Sequence, residues 1–256
     1  MIKSSLTVAT ATNRQLIYPS RNLHGQIVHE MGRRILRGQW QSGHPLPNES
    51  TLMAELKVSR TALREAIKVL VSKGLIEVRT KTGMRVRPRE SWNLFDPDIL
   101  AWEYEVGKRA AFLENLTQLR MAIEPFAAEL AAKVATGKER ERIRRAYERL
   151  ETTVSSPSEF IAADMEFHGA IVAATHNDLL KQLVNSISRL LLHSREVTIQ
   201  LPGSSERSLP QHKAVADAVC RGDGHAARAA MVDLVSTAGE DIRRVLKRQK
   251  LHTELW

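Results

Sequence analysis

Val58-Ser59-Arg60-Thr61-Ala62-Leu63-Arg64-Glu65-Ala66-Ile67-Lys68-Val69-Leu70-Val71-Ser72-Lys73-Gly74 is the stretch on which the reading of this 256-residue sequence turns. Leu63, Ile67 and Leu70 recur at the spacing of one helix face, which predicts a helix over 61–73. Ser59 stands where an N-cap belongs, and Gly74 where a helix stops. Arg60 and Arg64 project from one side near the helix start, with Lys68 one turn further on. Upstream, 50–56 fits a short helix joined through the tight connection Val58-Ser59. Before that, Ile27, Met31 and Ile35 repeat at helical spacing over 23–36, ahead of Gly38 and a loop holding Gly43, Pro45 and Pro47. Downstream, 75–78 and 84–87 alternate like strands around the turn Arg79-Thr80-Lys81-Thr82-Gly83.

Three helices followed by a basic two-stranded hairpin is the order of a winged helix-turn-helix. The charge agrees with it. The chain carries 38 Lys+Arg and 29 Asp+Glu, a formal charge of +9. Residues 1–95 hold 16 of the basic and 6 of the acidic residues, +10; residues 96–256 hold 22 and 23, −1. Such asymmetry points to a polyanionic partner for the first part alone. A recognition helix enters the major groove with its first residues facing the bases, where an arginine fork pairs with guanine. Arg60 and Arg64 suit that role. Ser59 and Thr61 can donate to phosphates beside the free N–H groups of the helix start. Lys68 extends the same stripe, and Arg79, Lys81 and Arg85 with the turn at Gly83 make a wing suited to phosphate or minor-groove contact. A helix with solvated arginines is the plainer explanation of any one of these features. Their combination favours double-stranded DNA.

With these residues in view, the sequence resembles a family. Leu46-Pro47-x-Glu49, then Val58-Ser59-Arg60-Thr61-x-Leu63-Arg64-Glu65-Ala66, then Leu70-x-x-x-Gly74-Leu75-Ile76-Glu77 and the wing glycine Gly83 are similar to the GntR family of bacterial transcription regulators. The resemblance covers 23–88 and implies operator contacts by Arg60, Arg64 and the wing. Many members carry Arg directly after the Glu of the first motif; this chain has Ser50.

Residues 1–20, rich in Ser, Thr, Ala and Asn without an acidic residue, are expected to be a disordered tail. The winged domain is expected over 21–88, and a linker with a connecting helix over 89–108. An all-α bundle, serving ligand binding and dimerisation, is expected over 109–250. Its helices are predicted at 110–135, 138–152, 158–175, 178–199, 206–221 and 223–249, after one at 97–105. The fold class is therefore mainly α. Cys220 is the single cysteine, so no disulfide can form within the chain, and a reducing, cytoplasmic setting fits. No window of about 18 residues is free of charge, so no membrane span is expected.

The second domain has polar residues where its helices should be apolar. Asp164 and His168 share a stripe with Phe160, Phe167 and Ile171. His212 lies among Leu209, Val215 and Val219, and Arg120 among Leu116, Ile123 and Ala127. Ionisable groups on buried faces are costly unless paired or metal-bound. Each has a bland explanation: a hydrogen-bonded core histidine, a structural Asp–His pair, an Arg120–Glu124 bridge. Together, Arg120, Asp164, His168 and His212 suggest one internal site for an anionic ligand.

The resemblance extends here. Leu119-Arg120-x-x-x-Glu124-Pro125, Asp164-x-x-x-His168, His212-Lys213-Ala214-Val215 and Ala229-Ala230-Met231 look like the FadR-type (FCD) effector domain. It implies a divalent metal, zinc or similar, on one Asp and three His, with a small carboxylate completing the shell. The third His would fall at Leu234, which cannot ligate; Asp233 beside it is a candidate substitute. Asp164, His168 and His212 would then hold the metal with effector oxygens, or bond a polar ligand directly. The stretch Trp92–Trp102 resembles the linker of sugar-acid-responsive members, the galactonate-operon repressors among them.

The resemblance implies a repressor that binds a pseudo-palindromic operator as a homodimer and is released by a sugar acid or other small carboxylate. Arg120 would pair the carboxylate. A metal-dependent enzyme is the first alternative. However, His29-Glu30 does not continue into His-Glu-x-x-His, and neither a phosphate loop nor a nucleophile elbow is present. A sequence-indifferent architectural DNA binder is the second, and it leaves the buried polar groups without a purpose.

Overall fold

A computed structural model describes residues 23–80, 83–106 and 109–253. The tail expected over 1–20 and the wing residue Lys81 lie outside the described residues. The chain divides into two compact units at Arg109/Ala110. Among the described residues, no helix is long and apolar enough to cross a membrane.

The first unit contains α1 (Leu23–Leu36), α2 (Glu49–Leu56), α3 (Arg60–Ser72), β1 (Ile76–Arg79), β2 (Gly83–Val86), a 3-10 turn (Arg89–Ser91) and α4 (Pro97–Glu105). Asn48 caps α2 by accepting from Thr51 N at 2.9 Å. Ser59 caps α3 by accepting from Ala62 N at 3.3 Å. Both are short polar residues that satisfy an otherwise orphaned N–H. Leu63, Ala66, Ile67, Val69 and Leu70 of α3 pack inward on Ile27, Val28 and Met31 of α1 and on Leu52 of α2. Gly74 ends α3 at φ +77, and a Cβ there would meet the Ser91 carbonyl oxygen at 2.3 Å. Both the backbone angle and that close approach require glycine. The strands pair antiparallel, Ile76 opposite Val86 and Val78 opposite Met84. The 43–46 loop hydrogen-bonds to β2 through Gly43 N to Val86 O and Leu46 N to Met84 O, both 2.8 Å.

The stretch expected to link the domains supplies part of this unit's core. Asp96 caps α4, and Pro97 occupies its first turn, where a missing N–H costs nothing. Trp102 and Ile99 are fully buried. The Trp102 Nε1–H donates to His29 Nδ1 at 2.7 Å. Its ring lies so close to α1 that a Cβ on Gly32 would stand 2.4 Å from it. Lys73, at the end of α3, is buried between Asp96 and Asp98, with its Nζ 2.8 and 2.7 Å from their oxygens.

The second unit is an all-helical bundle: α5 (Arg109–Val134), α6 (Gly137–Thr153), α7 (Pro157–Ala173), α8 (Asp178–Thr198), α9 (Ser204–Arg221) and α10 (Gly224–Thr253). Thr136 and Glu139 form a capping box at the start of α6. Ala127, Ala128, Ala131 and Ala132 of α5 are fully buried, and such small side chains let neighbouring helices approach closely. Phe167 and Ile171 of α7, Val215 and Val219 of α9, and Met231 and Val235 of α10 complete the core. Arg140 donates to the carbonyls of Ala132, Ala135 and Cys220, satisfying the ends of α5 and α9 together. Gly222 at φ +77 turns α9 into α10.

Lys73→Met should destabilise the chain by about 3–5 kcal/mol, because Asp96 and Asp98 would remain as buried charges without their cation. Urea unfolding measures it. A loss below about 1 kcal/mol would mean that these carboxylates do not depend on Lys73.

Candidate functional site

The first unit presents the side chains expected to meet DNA on one surface. Ser59, Arg60, Thr61, Arg64 and Lys68 are exposed along α3, opposite its buried stripe. Arg64 donates to both carboxylate oxygens of Glu49 at 3.1 and 3.2 Å, so the Leu46-Pro47-x-Glu49 motif holds this arginine against α2. Lys68 pairs with Glu65 at 2.7 Å, and Arg79 with Glu77 at 2.8 Å. These exposed pairs are weak in water and readily exchanged for a phosphate or a base. Gly83 opens β2 at φ +75 and is exposed.

In the second unit, Arg120, Asp164, His168 and His212 are all buried, and all four line one cleft of about 560 Å³, counting the part open to solvent. Arg120 comes from α5, Asp164 and His168 from successive turns of α7, and His212 from α9. The sequence reading missed Arg195 of α8, which lines the same cleft. It also missed Thr198, Gln211, Thr237 and Asp241 on its walls. Arg195 sits directly on Asp164 Oδ2. Burial and then the Arg120 charge bring its pKa down to about 9.

A chain of contacts joins these groups. Arg120 Nε donates to Glu124 Oε1 at 2.7 Å. Glu124 Oε2 lies 2.8 Å from His168 Nδ1. Burial by itself would raise the Glu124 carboxyl, but Arg120 and then His168 hold it well below the usual carboxylate range. His168 Nε2 is 3.8 Å from Asp164 Oδ1, and His212 Nε2 is 3.0 Å from the same oxygen. His212 Nδ1 is 2.8 Å from the Ser208 carbonyl, which can only accept, so that nitrogen carries the ring proton. Burial and then the His168 charge push His212 down to about 3. Phe167 stands edge-on to both imidazoles.

The donor set fits a divalent cation. Each imidazole gives its Nδ1 side to an outer acceptor, Glu124 or the Ser208 carbonyl. In its neutral form each thereby turns an Nε2 lone pair toward Asp164, as metal-ligating histidines do. His212 Nε2 and Asp164 Oδ1 are then two acceptors facing each other across 3.0 Å, an arrangement that calls for a positive charge between them. One ligand atom from each of Asp164, His168 and His212 lies within 4.8 Å of the others. Leu234 lines the cleft where a fourth protein ligand was expected, and the candidate substitute Asp233 is exposed. Three protein ligands leave coordination positions for a ligand's oxygens.

Glu124→Gln should cost about 3–5 kcal/mol in urea unfolding, because Arg120 and the Nδ1 side of His168 lose a buried counter-charge. Glu124→Asp, which keeps the charge, should lose less than Glu124→Gln; a loss confined to Glu124→Asp would show that packing rather than charge is at stake.

Comparison with known proteins places both units. Residues 23–86 match the family model described as "Bacterial regulatory proteins, gntR family", and residues 115–237 match the FCD domain. The galactonate operon transcriptional repressor of Escherichia coli (strain K12) is 31% identical over 228 residues, covering 88% of this chain and 98% of that protein. The Uxu operon transcriptional regulator of the same organism is 34% identical over 206 residues, 77% of each chain. The solved structure of Lar, which controls the expression of the Listeria monocytogenes agr system, aligns with a TM-score of 0.58. At 17% identity over 88% of this chain and 98% of that one, it supports the fold alone. The family and these relatives are transcription regulators, not enzymes. With its winged helix-turn-helix unit followed by an FCD domain, this chain belongs to the GntR family of bacterial transcription regulators.

Proposed function

We propose that the chain is a cytoplasmic, effector-responsive repressor of a catabolic operon for a sugar acid of the galactonate kind or another small carboxylate. It acts as a homodimer on a pseudo-palindromic operator, since one winged unit reads a half-site. Arg60 and Arg64 take base edges, Ser59 and Thr61 take phosphates, and Lys68, Arg79, Lys81 and the turn at Gly83 extend the contact over the backbone. The observation that carries the reading is the cleft of the second unit. Arg120, Arg195 and a cation-fitted Asp164–His168–His212 triad converge there inside an otherwise apolar bundle. When bound, the divalent cation supplies a positive charge that coordinates carboxylate and hydroxyl oxygens. Arg120 and Arg195 orient that carboxylate with charge-assisted hydrogen bonds. The effector lowers operator affinity only insofar as it binds the DNA-free arrangement more tightly than the DNA-bound one.

Two experiments test this. Arg64→Ala should weaken operator binding in a gel shift by about tenfold or more, from about 1–3 kcal/mol per base contact. Wild-type affinity should fall steeply with salt as counterions are released; unchanged affinity in the variant would remove α3 as the recognition helix. For the cation, zinc at about 100 times its Kd should stabilise the protein by about 2.7 kcal/mol in thermal unfolding, and a chelator should reverse it. His212→Ala should abolish the response. Indifference of the wild type to zinc, manganese, nickel and chelator would leave the triad as a hydrogen-bonding set only.

A further inference from the structure

The cleft has a far end that carboxylate and cation chemistry leave unused. α9 and α10 are joined through Gly222 and Asp223 alone, so they run antiparallel. His212 and Leu234 face the cleft at one level of this hairpin, and Ser204 and Asp241 face it at the other. Seven residues separate Leu234 from Asp241, about 10 Å along the helix at 1.5 Å per residue. An extended chain of three bonds spans about 3.5 Å. A three-carbon acid held by the triad and the arginines would therefore leave most of the wall bare, whereas a six-carbon acid, about 6 Å between its end carbons, reaches along it.

That wall is chemically specific. The Gln211 Nε2–H donates to Thr237 Oγ1 at 2.7 Å, which fixes the amide and turns its Oε1 the other way. Gln211 Oε1 is buried and has no hydrogen-bond partner among the described residues. Asp241, held by Arg207 at 3.4 Å and Arg244 at 3.1 Å, adds a second buried acceptor on the cleft. Acceptors facing a cavity call for donors on the occupant, and a ligand hydroxyl is a neutral donor.

We propose that Gln211, whose amide reaches from beside His212 toward Thr237, and Asp241 at the far level form a hydroxyl-reading wall of the effector site, with Thr237 as the positioning residue for the Gln211 amide. The effector is then an extended polyhydroxylated carboxylate of about five or six carbons, rather than a two- or three-carbon hydroxy acid. This rests on the cleft being the effector site, and it assigns specificity within it.

The test is isothermal titration of the full chain, at one fixed zinc concentration, with D-galactonate, D-gluconate, galactarate, L-lactate and glycolate. At least one of the six-carbon acids should bind about tenfold or more tightly than lactate and glycolate. Gln211→Leu and, more gently, Thr237→Val should each cut that affinity by about tenfold while leaving the weak affinity for lactate unchanged. Lactate or glycolate binding as tightly as every one of the six-carbon acids would overturn the proposal. The wild-type series decides this even if a variant fails to fold. Unchanged affinity in both folded variants would overturn it as well. Either of those results leaves the effector cleft standing, whereas failure of all five acids to bind would remove the cleft reading and this inference together.

Discussion

Burying Asp164 inside an alanine-lined helical bundle is the constraint around which the second unit is arranged. An ionised carboxylate in such surroundings needs partners from several directions. α7 supplies His168 one turn on, α8 supplies Arg195, and α9 supplies His212. Glu124 and Arg120 on α5 then steady His168 from the other side. A single chain of polar contacts therefore runs through four helices. The small side chains along α5 keep its partners close enough for the chain to close. Because each group leans on the next, the polar atoms lining the cleft hold one another in fixed orientations.

The first unit solves a similar problem with a different device. Its exposed face is built from weak, replaceable ion pairs such as Arg64 with Glu49, while a buried triad ties Lys73 to Asp96 and Asp98. Pairs in water can be exchanged at little cost, but the buried triad fixes α4 to the end of α3. Trp102 against Gly32 fixes the same helix to α1. The segment that leads out of the winged unit is thus anchored on α1 and α3, and any displacement of α4 must be felt at α3.

Much of this was legible residue by residue, and the failures have physical reasons. Ser59 and Gly74 announce the limits of α3 because capping and positive φ are local requirements. The inward turn of Asp164, His168, His212 and Arg120 showed in periodicity, since each interrupts an apolar stripe. Arg195 interrupts nothing. It lies in the polar run His193-Ser194-Arg195-Glu196, which reads as solvated surface. Asp241 is hidden in the same way between Glu240 and Arg243-Arg244, and Gln211 beside a histidine that draws the attention. Trp102 looked like part of a connection because nothing local says that its ring will lie against a glycine 70 residues earlier.

The sequence by itself determined the element order, the uneven division of charge along the chain, and the identity of four groups in the cleft. All of these follow from spacing along one helix or one turn. Only the tertiary structure decided that those four converge and that Arg195, rather than another histidine, meets Asp164. It alone also placed Gln211 and Asp241 along the remaining wall of the cleft, and Lys73 between two carboxylates. Those facts depend on which helix faces which, and helix pairing is set by the sum of packing across distant segments, which no local window of sequence contains.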